Sequence, residues 1–195
     1  ELLNEAAEGA DRGIFPVQPL NFTEGRMLIL RAFAPLANGG LGGTKVGVLT
    51  NTVEASQTIL KGIEAEAADL PAAQKDAITY QNVTSTDFSA AINALKNAGC
   101  DVVVVGVIGT DFTSALTAMA NANYYVPVLT SYNNANAGIL NDAATTILAE
   151  QYTDVLTNIP IYAQAWLDIT STEYFYNNAD SALLKGYEAL GLAQP

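Results

Sequence analysis

The sequence contains no histidine and only one cysteine, Cys100, among its 195 residues. Serine and cysteine nucleophiles usually depend on a histidine base, and zinc sites are built from imidazole and thiolate ligands. Their scarcity excludes most hydrolase and zinc-enzyme mechanisms, and we expect neither a metal site nor a bound cofactor. Cys100 lies at a predicted helix-to-strand junction, where a small buried residue is expected instead of a nucleophile. One cysteine forms no internal disulfide, so cysteine content does not identify the compartment.

Basic residues are also scarce, with eight lysines and arginines against twenty acidic residues and a net charge of −12. Such a charge repels nucleic acid and anionic lipid, so we expect neither as a partner. The chain is 50% apolar, too hydrophobic for disorder, yet it has no run near the roughly 20 apolar residues of a membrane helix. Its first eight residues are acidic and lack an apolar segment, so no signal peptide is predicted there. A soluble globular chain is expected.

The most informative segment ends in four consecutive valines, Val102 to Val105. A run of β-branched residues with no polar side predicts a strand covered on both faces, at the centre of a parallel sheet. Before it, a helix is predicted to begin at Ser85 or Thr86, with Asp87 in its first turn, and to stop at Gly99. This helix and strand form half of a βαβ crossover, and open parallel sheets bind ligands where such strands end.

Strand and helix patterns alternate along the rest of the chain. This order predicts a three-layer, doubly wound, mostly parallel α/β fold of the flavodoxin-like type. The first helix is predicted to open with a capping box over residues 21–24. Strands are predicted at 13–17, 45–50, 78–83, 102–105, 126–130 and 159–166, and helices at 23–36, around 59–69, at 111–122, at 138–156 and at the chain end to 191.

Two other patterns favour ordinary structural roles. The glycines between Gly39 and Gly43 follow a helix and precede a strand, which is the reverse of a phosphate-binding loop, so they predict a helix stop. Most acidic residues fall at helix ends or in loops, where they cap and solubilise, so no catalytic carboxylate pair is predicted. Asp111 and Asp168 follow strands at the expected ligand edge, although helix capping explains Asp111 equally well.

The segments 84–89 and 94–106, with Phe15 to Pro19 and Tyr187 to Gly191, resemble type I periplasmic binding proteins of the leucine/isoleucine/valine-binding group. The resemblance implies that residues 1–12 lead in from a missing first lobe. It implies that residues 13–195 form the second lobe of a two-lobed protein.

The function implied by the resemblance is that of a non-enzymatic, extracytoplasmic solute-binding receptor of an ABC importer. Its ligand would be a small polar molecule, an amino acid, amide or aromatic acid, held in a cleft between two lobes. Its partners would be the missing first lobe and a membrane permease, in the periplasm or outside the cell, with or without a lipid anchor. A ligand-sensing ectodomain of a signalling receptor is the alternative, and a flavin enzyme of flavodoxin-like fold is a third reading.

The predicted ligand wall follows the carboxyl ends of the parallel strands, where successive loops converge. The family often places an aromatic residue where this chain has Ala55. Amino-acid binders of the family hold the ligand ammonium with an acidic residue where this chain has Tyr132, so a neutral polar or aromatic ligand is expected here. The predicted wall residues are Thr50, Asn51, Thr52, Ile108, Gly109, Ser131, Tyr132, Asn133 and Trp166.

Overall fold

The structure is a computed structural model that describes residues 20–135 and 159–163. These residues belong to one compact unit, Glu1–Gln164. The predicted strand at 13–17, the predicted helices at 138–156 and at the chain end, and Trp166 and Asp168 lie outside the described residues.

Five parallel strands form one sheet in the order β2-β1-β3-β4-β5. The strand of four valines is the middle strand, all four are 2% exposed or less, and Val46 is aligned with Val102 on the neighbouring strand. The prediction of a central, doubly covered strand is therefore confirmed. The strands are β1 (Val46–Asn51), β2 (Ile78–Val83), β3 (Val102–Val105), β4 (Val128–Thr130) and β5 (Ile161–Ala163).

Helices cover both faces of this sheet, as the predicted three-layer fold requires. Because strand side chains alternate between faces, Val103 and Val105 join one apolar core and Val102 and Val104 join another. The first core includes residues of α4 and α5, and the second includes residues of α1 and α2. The described helices are α1 (Asn21–Phe33), α2 (Glu54–Asp69), α3 (Ala72–Lys75), α4 (Ser89–Ala98) and α5 (Thr110–Asn121).

Helices α1 and α2 approach each other closely at two glycines. A Cβ atom added to Gly62 would lie 2.0 Å from the carbonyl oxygen of Phe22. A Cβ atom added to Gly25 would lie 2.1 Å from the carbonyl oxygen of Ile59. Both contacts involve backbone atoms that cannot rotate away, so only glycine allows this separation of the two helices.

The amino edge of the sheet is held by Asp101, which directly precedes β3. Its carboxylate accepts hydrogen bonds from the backbone amides of Thr44 and Lys45, each at 3.0 Å, and from the Thr44 hydroxyl. Desolvation raises the pKa of Asp101, but these hydrogen bonds outweigh it and the net pKa lies below its ordinary value. The side chain thus joins the loop before β1 to the start of β3.

The predicted start of the first helix is wrong. The helix begins at Asn21, the N-cap residue is Leu20, and no side chain caps it. Glu24 is instead completely buried. The helix also ends at Phe33, before the predicted residue 36, and a short 3-10 turn (Leu36–Asn38) leads to Gly39 with φ of 73°. The glycines that follow precede β1, which agrees with a helix stop.

The predicted start of α4 is also wrong, because the helix begins at Ser89. Asp87 lies before it, and its Oδ1 accepts a hydrogen bond from the Ser89 amide at 2.9 Å. The predicted stop at Gly99 is confirmed by its left-handed φ of 74°. β4 begins two residues later than predicted, since Pro127 has no amide hydrogen, although its carbonyl accepts from Val103 at 3.0 Å.

Candidate functional site

The turn after β1 is held by the side chain of Asn51, the last residue of that strand. Asn51 is 5% exposed; its Nδ2 donates to Asp111 Oδ2 at 2.7 Å, and its Oδ1 accepts from the Val53 amide at 3.2 Å. The backbone amide of Asn51 donates a hydrogen bond to the hydroxyl of Ser56 at 3.0 Å. The hydrogen bond between Asn51 and Asp111 joins the β1 turn to the first turn of α5, so it connects two loops at the carboxyl edge.

The loop after β3 ends in a glycine with an unusual backbone. Gly109 has φ of 66° and ψ of −133°, a conformation that is open essentially only to glycine. A Cβ atom placed there would meet nothing within 4 Å, so open space lies beside this backbone. Glycine is therefore required here by conformation and not by crowding.

Asn134 joins the loop after β3 to the turn after β4. This side chain is completely buried, and its Oδ1 accepts a hydrogen bond from the Gly109 amide at 3.0 Å. Its Nδ2 donates to the Val107 carbonyl at 2.9 Å and to Thr130 Oγ1 at 2.8 Å. With three partners on two strand ends, the amide fixes the separation of these loops.

A carboxylate from α1 holds the beginning of the same turn, the 3-10 turn Tyr132–Asn134. Glu24 Oε2 accepts from the Ser131 hydroxyl at 2.8 Å, and Glu24 Oε1 accepts from the Tyr132 amide at 2.7 Å. Burial raises the pKa of Glu24, and the bonds from Tyr132 and Ser131 partly offset that rise. Glu24 belongs to no salt bridge within the described ranges.

The structure therefore brings together the ends of β1, β3 and β4, as predicted. The predicted wall residues differ in how far they are exposed. Tyr132, Asn133, Ile108 and Gly109 are partly exposed, and Thr52 is exposed. Thr50 and Ser131 are 1% and 0% exposed, so their side chains are buried inside the turns and stabilise them.

Three residues of the site are absent from the predicted wall: Glu24, Asp111 and Asn134. Asp111 was recognisable by its place after β3. Asn134 belongs to the polar segment 131–136 that follows β4, but nothing in the sequence shows that its amide is buried. Glu24 matched a helix-capping pattern, and its partners lie 107 and 108 residues away, so local sequence gave no signal of its role.

The polar groups in and beside the three turns are amides, hydroxyls and carboxylates. In the described part of the chain, no lysine or arginine side chain hydrogen-bonds to these turns, and no three His, Cys, Asp or Glu side chains are placed to hold a metal ion. Cys100 is buried away from them, and burial raises the pKa of its thiol. No helix within the described ranges is long and apolar enough to cross a membrane.

Residues 5–189 match a family model described as periplasmic binding protein. The chain belongs to this family. Its members are solute-binding proteins, and the family implies a location outside the cytoplasm. Among curated proteins, none matches the chain in sequence.

Solved structures of ABC transporter proteins share the fold at low identity. One from Rhodospirillum rubrum, assigned to a branched-chain amino acid ABC transporter, is 15% identical with a TM-score of 0.59 over 90% of this chain and 44% of its own. An amino acid ABC transporter substrate-binding protein from Pseudomonas fluorescens Pf-5 is 17% identical with a TM-score of 0.50, over 78% and 41%. The chain thus spans less than half the length of either protein.

Proposed function

We propose that this chain supplies one lobe of an extracytoplasmic solute-binding receptor of an ABC importer. Residues 13–195 would form the second lobe, and residues 1–12 would lead in from the first. The observation that carries the proposal is the joined carboxyl edge, where Asn51 binds Asp111 and Asn134 binds Gly109. Binding sites of open parallel sheets lie at this edge, and the family's fold and solute-binding character support the same role.

The proposed ligand is a small polar molecule, such as an amino acid, an amide or an aromatic acid. Tyr132 and Asn133 are partly exposed and offer a ring and an amide group, and the backbone of Gly109 borders open space. Amide, hydroxyl and aromatic groups suit a neutral polar molecule. Asp111, a partly exposed carboxylate beside these turns, accepts a hydrogen bond from Asn51, which fits binding better than acid–base catalysis. The partners would be the other lobe and a membrane permease.

Calorimetric titration tests this proposal with two proteins, the 195-residue chain and the product of the complete gene. The probes are the twenty L-amino acids and a set of aromatic carboxylic acids. A single lobe provides only part of the desolvation and hydrogen bonding, so we expect little heat from the chain alone and measurable binding by the complete protein. Micromolar or tighter binding by the monomeric chain would contradict the one-lobe proposal. Complete protein that binds no probe would contradict the ligand class.

The variant Tyr132→Ala tests the wall itself in the complete protein. We expect affinity for the best probe to fall by roughly 1–3 kcal/mol, the range for loss of a buried aromatic or hydrogen-bonding contact, with little change in stability. Tyr125→Ala is the matched control, because it removes the same side chain from an exposed tyrosine that precedes β4 at the amino edge. Equal affinities of the two variants would remove Tyr132 from the site.

A further inference from the structure

Glu24 contacts the turn after β4 although it comes from the first turn of α1. Its side chain is 0% exposed, and each carboxylate oxygen accepts one hydrogen bond, from Ser131 Oγ at 2.8 Å and from the Tyr132 amide at 2.7 Å. The carboxylate therefore binds the backbone and the side chain at the point where β4 leads into the turn that carries Tyr132 and Asn133.

The donors and acceptors at this contact match a carboxylate and no other side chain of similar size. The Ser131 hydroxyl accepts from the Asn133 amide at 3.2 Å and from Asn133 Nδ2 at 3.0 Å. A hydroxyl has two acceptor sites and one hydrogen, so its remaining capacity is the hydrogen donated to Glu24. Two donors thus converge on Glu24, which requires a group that only accepts.

The position of Glu24 is also fixed by the close packing of α1 against α2. Gly25, the next residue, lies so close to Ile59 that its added Cβ would be 2.1 Å from that carbonyl oxygen. Helix α1 is therefore fixed against α2 beside Glu24. Burying a carboxylate is unfavourable unless a basic group pairs with it, and no described residue forms a salt bridge with Glu24, so its presence indicates a role other than stabilising the fold.

We propose that Glu24 is a positioning residue of the ligand wall, whose buried carboxylate fixes the turn that carries Tyr132 and Asn133. Its part in binding rests on the proposed function, whereas its control of the turn is independent of any ligand. Because Glu24 is fully buried, its proposed effect on a ligand is indirect, through the turn.

Amide hydrogen exchange measured by NMR on the 195-residue chain tests control of the turn. In Glu24→Gln the side-chain NH₂ would face Ser131 Oγ, whose acceptor sites are filled. We expect the Tyr132 and Asn133 amides to exchange about tenfold faster, with β3 amides unchanged. Leu28→Ala is the matched control, because Leu28 is a buried residue of α1 that only packs in the core, and it should accelerate exchange broadly without favouring the turn. Unchanged exchange at Tyr132, or the broad pattern of the control, would overturn the proposal.

A second measurement needs no variant. The Tyr132 amide proton resonance of the native chain should move as Glu24 takes up a proton, with a midpoint above the ordinary glutamate pKa because burial disfavours the charged form. No other described ionisable side chain hydrogen-bonds to Ser131 or Tyr132, so this movement reports Glu24. A Tyr132 resonance that moves no more than that of Val104 would overturn the proposal.

Titration of the complete protein with the same amino-acid and aromatic-acid panel separates the two proposals. Glu24→Gln should weaken binding of the best probe by about tenfold, while Leu28→Ala should lower stability and leave affinity unchanged. If exchange of the Tyr132 amide accelerates in Glu24→Gln and no probe binds the native protein, the positioning of the turn by Glu24 is supported and the proposed function is contradicted. If probes bind and Glu24→Gln binds them equally well, the positioning role in binding fails.

Discussion

Gly62→Ala is the sharpest test of how α1 is held. In a helix interior, alanine is ordinarily more favourable than glycine by about 1 kcal/mol, so helix propensity alone predicts that this substitution stabilises the protein. The structure predicts the opposite sign. The new Cβ would lie 2.0 Å from the carbonyl oxygen of Phe22 and 3.2 Å from the amide nitrogen of Arg26.

The expected cost follows from these distances. Ordinary van der Waals contact begins at 3.4 Å, so α1 would have to withdraw from α2 by more than about 1 Å. Overpacking of this kind typically costs 1–3 kcal/mol, and here it also opposes the favourable helix propensity. Subtracting about 1 kcal/mol for helix propensity, we expect a net loss of up to about 2 kcal/mol in the free energy of unfolding. Because Glu24 lies on the same turn of α1, exchange of the Tyr132 amide should accelerate as well.

Urea denaturation followed by circular dichroism measures the change in unfolding free energy. Ala65→Gly is the matched control, because Ala65 is exposed on the same helix, and it should cost about 1 kcal/mol through helix propensity alone. A more stable Gly62→Ala protein would refute the close approach of α1 and α2.

Three further predictions follow from other contacts. Asn134→Ala removes one hydrogen bond from each of three polar partners, so the unfolding free energy should fall by roughly 2–4 kcal/mol in urea titration; a fall within experimental error would contradict its role in joining the loops. The lowered pKa of Asp101 gives stability that is complete above the unfolded-state pKa, near 4, and is lost as pH falls through the native value; Asp101→Asn should therefore flatten the loss of stability in acid, and parallel pH curves would contradict this. Cys100 is buried with a raised pKa, so a thiol reagent should label it only after denaturant is added, and rapid labelling of the native protein would count against its burial.

The parts of the fold that could be predicted are those set by local pattern. Four β-branched residues in succession indicate a doubly covered strand whatever the rest of the chain does, and the structure places Val102–Val105 at the centre. The strand Ile78–Val83 was predicted with its observed bounds. Boundaries failed where several residues could cap a helix, as before Ser89, where the side chain of Asp87 accepts the hydrogen bond.

Only the location of the candidate site, and not the arrangement of its side chains, could be predicted from the sequence. Parallel strands bring their carboxyl ends to one edge, so the turns after β1, β3 and β4 were expected to meet. Which side chains lie inside those turns depends on contacts between distant segments. Ser131, Asn133 and Asn134 are all polar and lie within four residues of one another. Of these three, only Asn133 is partly exposed, and the other two are buried. Trp166 stays a prediction.

The contact between Glu24 and the turn after β4 has a consequence for the order of folding. The two segments are 107 residues apart, so the chain must close a long loop before the carboxylate meets its donors, and such closures are slow and costly in entropy. During synthesis α1 emerges well before β4, and until β4 joins the sheet Glu24 has neither of its two hydrogen-bond partners. We therefore expect the proposed ligand wall to be among the last parts of this unit to take its final form. Under the proposed function, ligand binding would then report a completed lobe, and chains that stop before β4 would form helices without acquiring the proposed site.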